Sequence, residues 1–137
     1  MAITTAICNS FKQEILEGVH ASADTYKIAL YTDAATLGAA TTAYSATNEV
    51  SGTGYTAGGK TLTGYVNGLS SNTAYITFSD PSWADSTITA RGCLIYNSSK
   101  SNKAVAAFDF GANVVSVTGT FTIDLPAAGA SALIRIS

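Results

Sequence analysis

Residues Gly54-Tyr55-Thr56-Ala57-Gly58-Gly59-Lys60-Thr61 match the pattern G-x-x-x-x-G-K-[ST] letter for letter. In that pattern backbone amides cradle phosphates, the lysine reaches the outer phosphates and the Ser or Thr hydroxyl holds magnesium. The chemistry needs a buried strand leading in. It also needs a helix leading out, whose N-terminal amides and dipole face the anion. Here Lys60-Thr61 is followed by Leu62-Thr63-Gly64-Tyr65-Val66-Asn67-Gly68, a run of glycine, β-branched and aromatic residues that disfavours a helix. The lead-in, Ala43 to Ser51, is polar. The nearest apolar run ending in Asp is Val105 to Asp109, which looks like one arm of a hairpin. The match therefore reads as a glycine-rich turn between extended stretches, with Lys60 a solvated or interfacial charge and no nucleotide cofactor expected.

The other reactive side chains are sparse. His20 is the single histidine, which excludes multi-histidine metal sites and leaves one candidate general base just past a helix end. Asp80 and Asp85 flank Trp83, the one tryptophan; two carboxylates beside an aromatic could bind or hydrolyse a sugar, or simply form turns at strand ends. Trp83 itself reads first as a core anchor, then as an interface anchor, then as a sugar platform. Cys8 and Cys93 lack metal-site spacing, and whether they pair is left open. Asp33, Asp109 and Asp124 are scattered without a calcium-loop pattern. No Ser or Cys has a nucleophile-elbow setting. We expect no catalytic residues, no metal site and no enzyme.

Composition points the same way. The 137 residues include 23 Ala, 19 Thr, 15 Ser and 12 Gly, about half the chain, while charged residues make up 12% against the usual quarter. Small residues rich in Thr favour flat, closely packed β structure. A net charge of −2 and seven tyrosines interleaved with almost no Lys or Arg give no nucleic-acid platform. No run approaches the roughly 18 apolar residues of a membrane span, and the N-terminus lacks a basic leader, so synthesis in a cytoplasm is expected.

The elements follow from periodicity. Ile7, Phe11, Ile15 and Val19 recur every four residues and predict an amphipathic helix over about 5–18, its stripe facing the core or a neighbouring subunit. From Thr25 to Tyr31 the pattern alternates and predicts a strand. Residues 32–60 form a long loop, of the kind that is functional or mobile. Strands are then expected at Thr61–Val66, Thr73–Phe78, Thr87–Tyr96, Ala104–Phe110, Val114–Val117, Gly119–Leu125 and Ala132–Ile136. Turns are expected at Asn67–Asn72, Asp80–Trp83 and Asn97–Asn102. The fold class is mainly β, a single β-sandwich or barrel-like domain over 1–137 with one N-terminal amphipathic helix.

The order of segments adds a resemblance. Phe11-Lys12-Gln13-Glu14-Ile15-Leu16-Glu17-Gly18-Val19-His20, then Tyr26–Tyr31, then Asn48-Glu49-Val50-Ser51-Gly52-Thr53-Gly54-Tyr55-Thr56-Ala57-Gly58-Gly59 resembles small structural proteins of tailed bacteriophages. The likeness continues through Ala90–Tyr96 to Phe121-Thr122-Ile123. It implies a non-enzymatic virion component, with capsid decoration (cement) on the major capsid protein as the favoured role. A tail or baseplate component, or a carbohydrate-binding β-sandwich on a virion surface, are the alternatives. A homo-oligomer is expected, with glycan a weaker candidate partner and neither nucleic acid nor membrane. Phe11, Ile15, Tyr44, Glu49, Tyr55, Lys60 and Trp83 are the candidate interface residues.

Overall fold

The computed structural model describes residues 2–126, 129 and 132–136. The fold is mainly β, with two antiparallel sheets and one short helix. In chain order the elements are β1 (Ala6–Ile7), α1 (Asn9–Leu16), β2 (Tyr26–Tyr31), β3 (Lys60–Thr61), β4 (Val66–Ser70), β5 (Thr73–Thr77), β6 (Ser82–Asn97), β7 (Lys103–Thr122) and β8 (Ile134–Ile136). The larger sheet has the order β1-β7-β6-β2-β3 and the smaller β4-β5-β8.

The larger sheet is built on the long β6–β7 hairpin. Its turn is closed by Asn97, whose side-chain oxygen accepts the Ser99 amide, and by Ser101 and Asn102 in left-handed backbone. Register shifts along the hairpin coincide with left-handed residues Asp85 (φ 49°) and Thr118 (φ 45°), as expected of bulges. β2 lies inside this sheet, which explains why Tyr-Lys-Ile-Ala-Leu-Tyr is buried almost continuously although its sequence alternates.

Pairing rows assign the faces. Tyr26–Asn97, Ile28–Ile95 and Leu30–Cys93 share one face, where Tyr26 packs on Tyr65 and Phe78 beneath the smaller sheet, and where the Phe11 and His20 rings meet tilted with centroids 4.7 Å apart. Lys27–Tyr96, Ala29–Leu94 and Tyr31–Gly92 share the other, where residues 32–59 lie across the sheet: Tyr44 stacks on Tyr96 at 4.7 Å and the Tyr31 hydroxyl donates to Ser45 O. One buried cluster runs through both layers.

Several expectations are corrected. The helix covers Asn9–Leu16 rather than 5–18, because Ala6 and Ile7 pair with Ala107 and Ala106 and Cys8 is extended. Its stripe is therefore shared: Phe11 is buried, Ile15 is half-buried and Ile7 belongs to a strand. The stretch Asn67–Asn72, expected as a turn, is strand as far as Ser70, with Gly68 lying flat under the Tyr75 ring; only Ser71 and Asn72 turn. The expected strand at Thr61–Val66 is split, its ends belonging to different sheets. Trp83 lies within β6 rather than in a turn. The three strands expected between Ala104 and Leu125 are one, because Gly111 (φ 83°) and Thr118 are absorbed as irregularities inside β7.

Candidate functional site

The loop that resembles a phosphate cradle holds an anion of its own chain. The Gly58 amide donates to Glu49 Oε2 at 2.8 Å, the Tyr55 hydroxyl to the same oxygen at 2.5 Å, and the Tyr44 hydroxyl to Oε1 at 2.6 Å. Tyr55 Oη also accepts the Leu30 amide at 2.9 Å. That last bond completes an edge. β2 is paired at one end by Lys60–Thr61 and at the other by the segment around Glu49, through Val50 N to Leu30 O and Thr32 N to Asn48 O. Tyr55 takes the Leu30 N–H that falls between them, so a side chain stands in for a strand. The Tyr96 hydroxyl closes the set by donating to Gly58 O at 2.5 Å.

The glycines of this stretch are set by contact. A Cβ on Gly59 (φ 80°) would lie 1.9 Å from Ile28 O. One on Gly54 (φ 84°) would lie 2.9 Å from Ser86 Cα, and one on Gly52 2.4 Å from Thr87 O. The segment Glu49–Gly59 is thus a clamp: a carboxylate gathers two tyrosine hydroxyls and an amide, while glycines let the loop lie against β2 and β6. Burial, reinforced by the Glu49 carboxylate, pushes the Tyr44 and Tyr55 hydroxyls well above the ordinary tyrosine range.

Lys60-Thr61 is a two-residue strand, and residues 62–65 lead on to β4 without forming a helix. Lys60 is exposed, its ammonium bonded to Ser82 O and 5.5 Å from the centre of the Trp83 ring. Trp83 is 4% exposed, edge-on to Phe121 at 5.9 Å, so its ring is a core anchor and offers no platform for a sugar. Its flanking acids do backbone work: Asp80 accepts the Leu125 amide at 2.7 Å, and Asp85 occupies a bulge.

His20 lies in a polar tie between the helix and the hairpin turn. Asn97 Nδ2 donates to His20 Nδ1 at 3.0 Å and to Asp24 Oδ2 at 2.8 Å, which leaves Nε2–H to donate to Glu14 Oε1 at 2.9 Å. Lys100 Nζ reaches both Asp24 oxygens at 2.8 Å. Burial raises the Asp24 carboxyl, but the hydrogen bonds from Lys100, Asn97 and the Ala21 amide outweigh it and hold the pKa at about 2. With both ring nitrogens committed and its side chain only 3% exposed, His20 is placed as a structural tie rather than as a base. Cys8 and Cys93 are free, buried thiols; burial raises their pKa values to about 11 and about 12. Asp109 is paired with Arg91. Among the described residues no group of His, Cys, Asp and Glu could hold a metal ion.

Two surface features were not legible in the sequence. One is an apolar cavity of about 580 Å³ between β1, β7 and the chain after Ile123, lined by Ile7, Phe108, Phe110, Phe121 and Leu125. The other is the outer edge of β7. Residues 42–44, Cys8, β1 and the Thr5 hydroxyl pair with it as far as Asp109. From Gly111 to Val117 the edge has no strand partner among the described residues. Val114, Val115 and Val117 there are 42%, 58% and 71% exposed.

Of the seven interface candidates, Tyr44, Glu49 and Tyr55 converge in the clamp, and Lys60 pairs with Trp83. Phe11 is buried elsewhere, with Ile15 half-buried on the same helix. The repeated Val of Val114-Val115-Ser116-Val117 was the available signal for the exposed edge, masked by its likeness to a core strand. Comparison with known proteins finds no matching family model, no matching curated protein and no matching solved structure.

Proposed function

We propose that this chain is a non-enzymatic structural component of a tailed-bacteriophage virion, in the role of a capsid decoration protein on the major capsid shell. One observation carries the reading. The residues with chemical promise are engaged in holding the fold, while large exposed apolar side chains line uncharged strand edges: Val114, Val115 and Val117 on β7, and Val66 and Leu69 on β4. Such edges are a liability on a free monomer and suit a part that is covered on assembly. We read the two sheets as the halves of a β-sandwich, supported by Tyr26, Tyr65 and Phe78 packing between them. The buried Trp83 weighs against the glycan-binding alternative.

The test is to raise antibodies to the purified protein and apply them to density-banded phage particles, with immunoblotting and immunogold imaging. The expected result is a band in particles and gold on heads. Gold confined to tails would replace decoration by the tail or baseplate role, and absence from particles would overturn the virion reading.

A further inference from the structure

The open edge of β7 specifies its own partner. Backbone amides and carbonyls along the edge of a sheet bond best to another extended strand. The available stretch is bounded by two register shifts against β6, one across residues 110–113 with Gly111 (φ 83°) and one across 117–118 with Thr118 (φ 45°), so the regular pairing segment is Val114–Ser116. No residue from Phe110 to Ile123 is charged, and there is no proline. Bulges flank the segment, but an outward lysine, a proline and an inward charge, the other common devices that keep such edges apart, are absent from it. β6 has the corresponding gap beyond β2 partly closed by its own chain, through Thr87 N to Thr53 O and the packing of Gly52 and Gly54. The β7 edge has no such cover among the described residues.

We propose that this edge is a twofold interface between two copies of this chain, with β7 pairing antiparallel to β7 of the second copy about Val115. An uncharged edge gives a partner no ion pair to recognise, and it meets no repulsion when laid against itself. Antiparallel self-pairing needs only that the segment be similar in both directions, and Val-Val-Ser is small or β-branched at every position. Strand pairing about a twofold axis perpendicular to the sheet keeps the faces in register only when the axis passes through a residue. Centring on Val115 uses the whole of the regular segment. It sets Val115 beside its own copy and Val114 beside Ser116 of the second copy. The exposed face that receives these contacts already carries Thr89, paired with Val115 inside the chain. The result is one continuous sheet across the dimer, with the two β6–β7 hairpins side by side.

This interface gives the homo-oligomer of the proposed virion role its contact, and it rests on that reading only in purpose. Oligomeric state is measured on purified protein, so either can fail while the other stands. A short strand edge is a small interface, so association is expected at roughly 10 μM or above rather than in the nanomolar range.

The experiment is sedimentation velocity on the full chain up to about 100 μM, with Val115→Lys and with cysteine cross-linking. The wild type should form a dimer with concentration, and Val115→Lys, which places two like charges together, should weaken it at least about tenfold. Val115→Cys should cross-link to a disulfide dimer under mild oxidation, because directly opposed residues in such a pair lie within disulfide reach. Val117→Cys alone should not. Cys8 and Cys93 are buried and do not compete. If Val115→Lys fails to fold, the cysteine pair still decides the question. A wild type that stays monomeric, an oligomer unaffected by Val115→Lys, or Val117→Cys linking as fast as Val115→Cys would each overturn the proposal. A monomer that gains order only with capsid shells would assign the edge to a different occupant and overturn it as well.

Discussion

Glu49 is the residue on which the clamp depends, and its replacement tests that dependence most sharply. Its carboxylate accepts three hydrogen bonds, from Tyr44, Tyr55 and Gly58, all at 2.8 Å or less. Hydrogen bonds to a charged group contribute about 1.5–3 kcal/mol each, and neutral ones about 0.5–1.5. Glu49→Gln keeps the shape and can keep all three contacts if the Tyr44 hydroxyl turns to accept, so it removes mainly the charge assistance. That comes to about 1 kcal/mol per bond, or roughly 2–3 kcal/mol in all. Glu49→Ala leaves the Tyr55 hydroxyl and the Gly58 amide without an acceptor and should cost about 3–5 kcal/mol. Urea unfolding followed by Trp83 fluorescence reads the loss. A cycle with Tyr55→Phe should return a coupling of at least about 1 kcal/mol, because the two residues act through one bond. A loss under about 0.5 kcal/mol for Glu49→Gln, or additive single losses, would refute the idea that the carboxylate organises the loop.

The remaining predictions concern titration, backbone fit and access. Tyr26, Tyr31, Tyr44, Tyr55 and Tyr96 all have raised pKa values, each chiefly from burial, so the folded state keeps protons that the unfolded state releases. Stability from these groups is complete below the unfolded tyrosine pKa near 10 and falls above it, by up to about 1.4 kcal/mol per pH unit for each fully protected ring; urea midpoints between pH 9 and 11.5 should fall accordingly. Asp24 has the opposite sign: its stabilisation is present above the unfolded value near 4 and is lost as pH falls towards about 2, so Asp24→Asn should flatten the acid limb of the stability curve. Gly59→Ala should destabilise by more than about 2 kcal/mol in thermal melts, since its Cβ would meet Ile28 O in a left-handed backbone, whereas Gly111→Ala has open space and should lose only about 1. Lys60→Ala should change stability by under about 1 kcal/mol and leave calorimetric titrations with ATP flat, as for the wild type; saturable ATP binding would contradict the clamp as the occupant of the loop.

The parts of the fold legible in sequence were those governed by local pattern. Tyr26–Tyr31, the hairpin turn at Asn97–Asn102 and the absence of a helix after Lys60 follow from alternation and turn chemistry, and each is found. What was not legible depends on partners distant along the chain. Ala6-Ile7 fits a helical stripe until β7 takes its backbone, and Gly68 looks like a turn until the Tyr75 ring covers it. Gly111 and Gly119 look like chain breaks, but a long ribbon can absorb such residues as bulges while its partner strand holds it extended. The same limit applied to the site. Glu49, Tyr55 and Gly58 stood out as a pattern, but the bonds among them, and the role of Tyr55 in replacing a strand at Leu30, require the loop to be laid across the sheet.

The clamp also bears on how the glycine-rich stretch should be weighed. A phosphate loop and this loop share a physical requirement: backbone must come close to an anion, and glycine permits it. In one the anion is a ligand and a helix dipole supports it; here it is Glu49, nine residues from the amide it binds, and tyrosine hydroxyls supply the other donors. Filling the cradle from within fixes residues 48–60 against β2 without any cofactor. That converts a long connection, which composition alone would leave loose, into a rigid wall over Tyr96 and Trp83. That face is closed by its own chain, whereas the β7 edge, on the far side of the hairpin, has no strand partner from Gly111 to Val117 among the described residues.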